Sequence, residues 1–346
     1  MPNAVGWIKA PYHIRLPDKL GALLSHPSTA GQIEPALKLA KGLLAIEPDP
    51  QMSKEANEED TYLLPKSQPL FDLWHYEQIL KRNVPNLVTA AGDESLKFLC
   101  GLLGAAVRLS EKAGENRGPD DYSYIWRPNI EHSHHMEEGV RGLLVSAVRD
   151  AALQSGQQDP TKIPEIIQKL EARKRSVFHR IALDVLRVFA ERAPALIAER
   201  LTDPKRFDSS HFCREYNRLC KEQFAQLPPQ DRDRILDWIE KGPDIDKFKT
   251  TWDAYHGNPP TAPQIEDYSK TWQRDRLHPI SNDLPDAWKR RYENLVSSVG
   301  TAESDEPDSH DVAAWYGPST PKKAEDLRAM DAPATVCRST SSLISC

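Results

Sequence analysis

The sequence predicts an all-α protein of stacked helical hairpins, a HEAT-like or TPR-like α-solenoid. Apolar residues recur at spacings of three and four through most of the 346-residue chain, the period of a helix with one buried face. Alternating apolar and polar runs bounded by tight turns are absent, and Asn-Gly and Asp-Gly, the strongest hairpin dipeptides, do not occur. The 28 prolines fall between periodic segments more often than inside them, where each would remove a backbone donor.

Residues 1–33 read as an extended N-terminal segment, residues 34–297 as the helical-repeat domain, and 298–346 as a polar linker with a poorly ordered tail. Glu34 to Ile46 is the first helix, with Ala36, Leu37, Ala40, Leu43 and Leu44 as its stripe and Pro48 and Pro50 ending it. Residues 51–62 are polar and acidic and read as a solvated loop. Asp72 can receive the free N–H groups of a helix carrying Tyr76, Ile79, Leu80, Leu87 and Val88, in which Pro85 predicts a kink or break. Ser95 to Ser110 is apolar around most of its circumference and reads as buried on more than one side. Gly142 to Leu153, Ile163 to Leu170 and Val177 to Phe189 follow, the last with the strongest helical period in the chain. Beyond Thr202-Asp203-Pro204 come Ser210 to Phe224, Asp231 to Glu240, Pro263 to Leu277 and Pro285 to Val296.

Phe71-Asp72-Leu73-Trp74-His75-Tyr76 is matched by Phe207-Asp208-Ser209-Ser210-His211-Phe212, each ahead of a helical segment. If the likeness is structural, Asp72 and Asp208 both cap helices and the pairs stack as repeats. A chance likeness is the alternative.

A formal net charge of −6, from 45 Lys and Arg against 51 Asp and Glu, marks neither a strongly basic nucleic-acid binder nor a polyacidic disordered chain. Runs of 18 apolar residues are absent, which excludes a membrane-spanning helix from the expectation, and no basic segment leads into an apolar run near the start. Cys100, Cys213, Cys220, Cys337 and Cys346 are odd in number and contain no CxxC pair, so a reducing cytoplasm is the expected setting. Cys213 and Cys220 read as small core residues. Trp74, Trp126, Trp238, Trp252, Trp272 and Trp288 read as packing anchors at helix starts or on apolar faces.

Two clusters carry possible chemistry. Glu131, His132, His134 and His135 offer the imidazole and carboxylate donors of a zinc, iron or nickel site, the basis for a metal-dependent hydrolase. The spacing favours a solvated first helical turn instead, since at i+4 His132 meets Met136 and His134 meets Glu138, leaving one mixed pair. Arg173, Arg180 and Arg187, seven apart, align on one face if their helix is continuous and could follow a phosphate backbone. Asp184, four after Arg180 and three before Arg187, favours a salt-bridged solvent face. The chain has no GxSxG elbow, no GxGxxG after a strand and no GxxxxGK[ST] phosphate loop, so acyl transfer and nucleotide hydrolysis lack their usual machinery.

The segments Asp120-Asp121-Tyr122-Ser123-Tyr124-Ile125-Trp126-Arg127-Pro128, Leu143 to Asp150, Phe178 to Leu183 and Ile235 to Pro243 together resemble the helical-repeat arm of large bacterial STAND-type NTPases, many of which look like antiviral defence proteins. The resemblance covers about residues 30–330 and rests on structural motifs without a catalytic residue. It implies a binding arm normally coupled to a P-loop NTPase domain, which this sequence does not contain. The drift after Ala329-Met330 into a Ser/Thr/Cys tail is the form a truncated gene would take. The resulting expectation is a non-catalytic scaffold arm without a cofactor or a membrane partner. It would recognise a protein, with a phage protein and a companion NTPase as the two classes considered.

Overall fold

The computed structural model describes residues 16–56, 65–111, 120–131 and 135–302. Among these it contains sixteen α-helices and a single two-stranded ladder, so the chain is all-α in class. Where one repeat domain over 34–297 was expected, the chain divides into two compact units, Met1–Arg200 and Leu201–Cys346. Most of the expected tail lies outside the described residues.

The first unit begins with α1 (Leu16–Thr29), a correction to the expected extended segment. Leu20, Leu24 and Ser28 share one helical face; Leu24 is fully buried with Ala36, Ala40, Leu43 and Leu87, and Leu20 packs against that cluster. Pro17 sits in the first turn, where its missing N–H has no intrahelical role. α2 (Ile33–Leu43) packs on α1 and leads into β1 (Ile46–Pro48). α3 (Pro50–Ala56) replaces the first half of the expected loop: Asp49 Oδ1 receives the N–H groups of Gln51 and Met52 at 3.0 and 3.1 Å, and Pro50 follows the cap. β2 (Ser67–Pro69) returns antiparallel to β1, pairing Ile46 with Pro69 and Pro48 with Ser67.

α4 (Leu73–Ala91) is capped by Asp72, which accepts from His75 N at 3.0 Å, as the sequence predicts. It carries Pro85 without ending. The Pro85 carbonyl accepts from Thr89 Oγ1 and, across the helix interface, from Gln154 Nε2 at 2.9 Å. α1 lies close on α4 because position 21 is glycine: a Cβ there would stand 2.9 Å from Ile79 Cγ1. α5 (Asp93–Arg108) buries Leu96, Leu99, Leu103 and Val107.

The short α6 (Ser123–Trp126) precedes α7 (His135–Gln158), whose backbone turns at Gly139 with φ of 61°. α7 packs on α4 and α5, and α8 (Ile163–Glu171) packs on α9 (Ser176–Val188). α9 is the centre of the unit, with Val177, Phe178, Ile181, Leu183 and Leu186 all at 1% exposure or less. Each such side chain contributes about 1.5–3 kcal/mol from burial. α10 (Pro194–Leu201) is held by Arg200, whose guanidinium grips Glu171 through Nε at 2.9 Å and Nη2 at 2.8 Å.

The second unit contains α11 (Pro204–Phe207), α12 (Cys213–Gln223), α13 (Pro229–Lys241), α14 (Ile245–His256), α15 (Ala262–Leu277) and α16 (Asp286–Val299). Phe207 is its hub, with ring centroids 5.1 Å from Trp238, 5.8 Å from Trp272 and 6.2 Å from Tyr216. The Arg276 guanidinium lies 4.8 Å from the Phe207 centroid. α14 is unanticipated by the apolar spacing; Asp244 caps it by accepting from Lys247 N at 2.9 Å.

The expected repeat is corrected. Asp208 closes the C-terminal end of α11 instead of opening a helix, and α12 starts five residues later at Cys213. What recurs is a buried tyrosine at the start of a helix. Tyr76 donates to Leu44 O at 3.1 Å, and Tyr216, not Phe212, donates to Leu201 O at 2.6 Å.

Candidate functional site

The segment Asp120–Glu131 is irregular apart from α6, yet it is tied down from below at nearly every step. Asp121 is 5% exposed and its carboxylate serves two helices. Oδ1 accepts from Ser123 N of α6 at 3.0 Å, and Oδ2 accepts from Val177 N of α9 at 2.9 Å. The Asp121 carbonyl accepts from Trp126 Nε1 at 2.8 Å. Arg127, fully buried, donates to Ile130 O at 3.0 Å and to Ser146 Oγ of α7 at 3.1 Å. Arg180 of α9 donates to Arg127 O at 2.7 Å and Pro128 O at 3.1 Å. Buried guanidiniums thus satisfy carbonyls that have no helix or sheet to serve them.

On the outer side this segment presents Tyr122 at 39% exposure and Ile125 at 61%, with the Arg141 guanidinium 4.5 Å from the Trp126 ring centroid. Tyr122 has φ of 51° and ψ of 27°, and it is the one non-glycine residue with positive φ among the described residues. Left-handed backbone costs an L-residue about 1–2 kcal/mol. The Asx turn from Asp120 Oδ1 to Tyr122 N, at 2.9 Å, together with the Asp121 bonds, holds it there.

The structure separates the arginine stripe. α8 ends at Glu171 and α9 begins at Ser176, so Arg173 is on neither helix; its guanidinium lies 5.9 Å from the Phe178 ring. Arg180 is 1% exposed and faces inward, out of reach of a phosphate backbone. Arg187 pairs with Asp184 Oδ1 at 3.2 Å and Glu131 Oε1 at 3.3 Å. Asp184, expected on a solvent face between Arg180 and Arg187, is 3% exposed and takes Arg149 Nε at 2.6 Å as well as Arg187.

Of the candidate metal ligands, Glu131 accepts from Arg187, and its N–H donates to Asn129 Oδ1 at 3.0 Å. His132 and His134 lie outside the described residues, and His135 is described only as the first residue of α7. Among the described residues no group of three or more His, Cys, Asp or Glu is placed to hold a metal ion. Cys100, Cys213 and Cys220 are buried free thiols. Trp74, expected as a packing anchor, is 55% exposed. No described helix is long and apolar enough to cross a membrane.

No family model, curated protein or solved structure matches the chain. The site therefore stands on its own geometry. Its main feature, a strained and exposed Tyr122 in a segment whose carbonyls two buried arginines serve, is absent from the sequence expectations. The doubled Asp120-Asp121 ahead of four aromatic or apolar residues was the available signal, since adjacent aspartates favour Asx turns and caps over continued helix.

Proposed function

We propose that the chain is a non-catalytic helical arm that recognises a partner protein through the face of Asp120–Glu131, in stacked HEAT-like or TPR-like hairpins. The observation that carries this is Tyr122. A tyrosine occupies a left-handed position where glycine would be cheaper, and more than a third of its surface faces solvent. Its ring reaches Tyr124, with centroids 6.1 Å apart, and strained positions of this kind concentrate where binding requires them. Tyr, Trp and Arg are the residues that most often dominate protein interfaces, and here Tyr122, Trp126 and Arg141 lie beside the exposed Ile125. Helices adjacent in sequence pack on each other at α1–α2, α4–α5, α8–α9 and α15–α16, which supports the hairpin part of the reading.

The resemblance to arms of STAND-type NTPases makes a companion NTPase or a phage protein the partner class within this proposal. Buried free thiols suit a cytoplasmic setting. A photo-cross-linking residue placed at position 122 or 125 in host cells should trap one protein species. The same residue at Lys97, an exposed position with 72% of its side chain in solvent, should trap none. Tyr122→Gly with Ile125→Ser should abolish that adduct's native counterpart while changing stability by less than about 1 kcal/mol, because strain relief offsets the added chain entropy. An interaction that survives the double change, or adducts equal at all three positions, would refute the assignment.

A further inference from the structure

α14 is mostly exposed. Phe248 is its single buried residue. Its rings form a ladder: Tyr268 of α15 stacks on Phe248 at 3.9 Å and 7°, Phe248 meets Trp252 at 5.6 Å, and Trp252 meets His256 at 4.2 Å. The ladder runs outward into solvent. Trp252 is half-buried, His256 is exposed and neighbouring Tyr255 is 79% exposed.

Beside the rings runs a charge stripe. Asp246, Lys249, Asp253 and His256 recur at helical spacing on one side of α14, all exposed, with the Asp246 side chain 98% and Lys249 49% in solvent. Lys249 and Asp253 are equidistant from Thr251, and so are Asp246 and His256. A helix with that arrangement is complementary to itself when reversed. Lys249 meets Asp253, and Asp246 meets His256, with both pairs sharing one centre. The ion pair that Lys249 makes within its own helix, to Asp246 at 3.9 Å, is long and exposed and offers little competition.

We infer that α14 is a self-association surface, its charge stripe pairing antiparallel with that of α14 in a second copy about a two-fold axis that crosses the stripe at the level of Thr251, whose own side chain is on the opposite face. The two Trp252 rings lie at the edge of that contact. An isologous contact of this kind closes on itself as a dimer. Twelve residues make a helix about 18 Å long, so the contact is below the standard interface size and the dimer is weak, with a dissociation constant in the range of about 10–100 µM.

Sedimentation of the full chain from about 1 to 300 µM should show a reversible monomer–dimer equilibrium. Lys249→Asp places a carboxylate opposite Asp253 of the second copy and should weaken the dimer at least about tenfold, as should Asp253→Lys. The double variant Lys249→Asp with Asp253→Lys restores both pairs with their signs exchanged and should return to within about threefold of the parent. All three changes are on exposed positions, so folding is retained. A chain that stays monomeric throughout, a dimer indifferent to both single changes, or a double variant that fails to recover each overturns the proposal.

Discussion

The Asp121 carboxylate ends two helices at once, one two residues away and one 56 residues away. Each N-cap bond is worth about 1 kcal/mol, so Asp121→Ala should lower the unfolding free energy by about 2 kcal/mol or more in a urea titration. Arg180→Met keeps the volume and removes the donors to Arg127 O and Pro128 O; leaving those buried carbonyls unserved should cost about 2–4 kcal/mol. If Arg180→Met instead left stability unchanged while lowering affinity for DNA, the buried-donor role would be wrong. The thiols behave as core groups. Burial pushes Cys100 and Cys220 up to about 12, with Arg173 and Arg276 pulling back only in part. In the unfolded chain these thiols ionise near 9.0, while in the folded chain they stay neutral. Their contribution is therefore complete below about pH 9 and is lost as pH rises toward 12. Alkylation at pH 8, read peptide by peptide, should leave both unmodified in the native protein and label them in denaturant.

Among elements, those with a wide apolar stripe were legible in advance. The stripes of α5, α8, α9, α12 and α13 place each helix within a few residues of its observed bounds. The elements missed were short or punctuated. α1 lies in the segment expected to be extended, and its sequence holds Pro17, Gly21 and Pro27, the first in the opening turn and the second a contact point. α14 buries one residue and so has almost no stripe to read. The separation of α8 from α9 was legible only as a gap between two stripes, because Ala172-Arg173-Lys174-Arg175 holds neither the proline nor the glycine that would mark a break. Distant partners impose that break: Asp121 caps α9, and Arg175 pairs with Glu111 at 2.7 Å. This is why three arginines seven apart looked like one stripe. Close approach between elements is just as local. A Cβ on Gly156 of α7 would stand 2.7 Å from Phe189 Cε2, so Gly156→Ala should lower stability by about 1–3 kcal/mol despite its better helix propensity. A melting temperature equal to or above that of the parent would show that the Phe189 ring simply rotates away.

For the whole molecule, class was legible and arrangement was not. Spacing of three and four reports that a helix has a buried face, but it does not say which neighbour covers it, and the division near Arg200 falls within α10, where the apolar pattern is unbroken. The candidate site was less legible still. Its aromatic residues were visible as a run, yet the backbone after them is held by two arginines whose inward orientation only tertiary packing decides. The β1–β2 ladder has a further consequence. Asp49 N donates to Lys66 O at 2.7 Å, so the chain leaves the helical body and returns to nearly the same point, with α3 inside the excursion. Scission between Asp49 and Lys66 would place α1 and α2 on one fragment and α4 on the other, with their packing on α4 intact. The two pieces, prepared separately, should reassemble on mixing into a nicked protein with the parent's circular dichroism, as in fragment complementation. The break adds only the entropy of bringing two chains together.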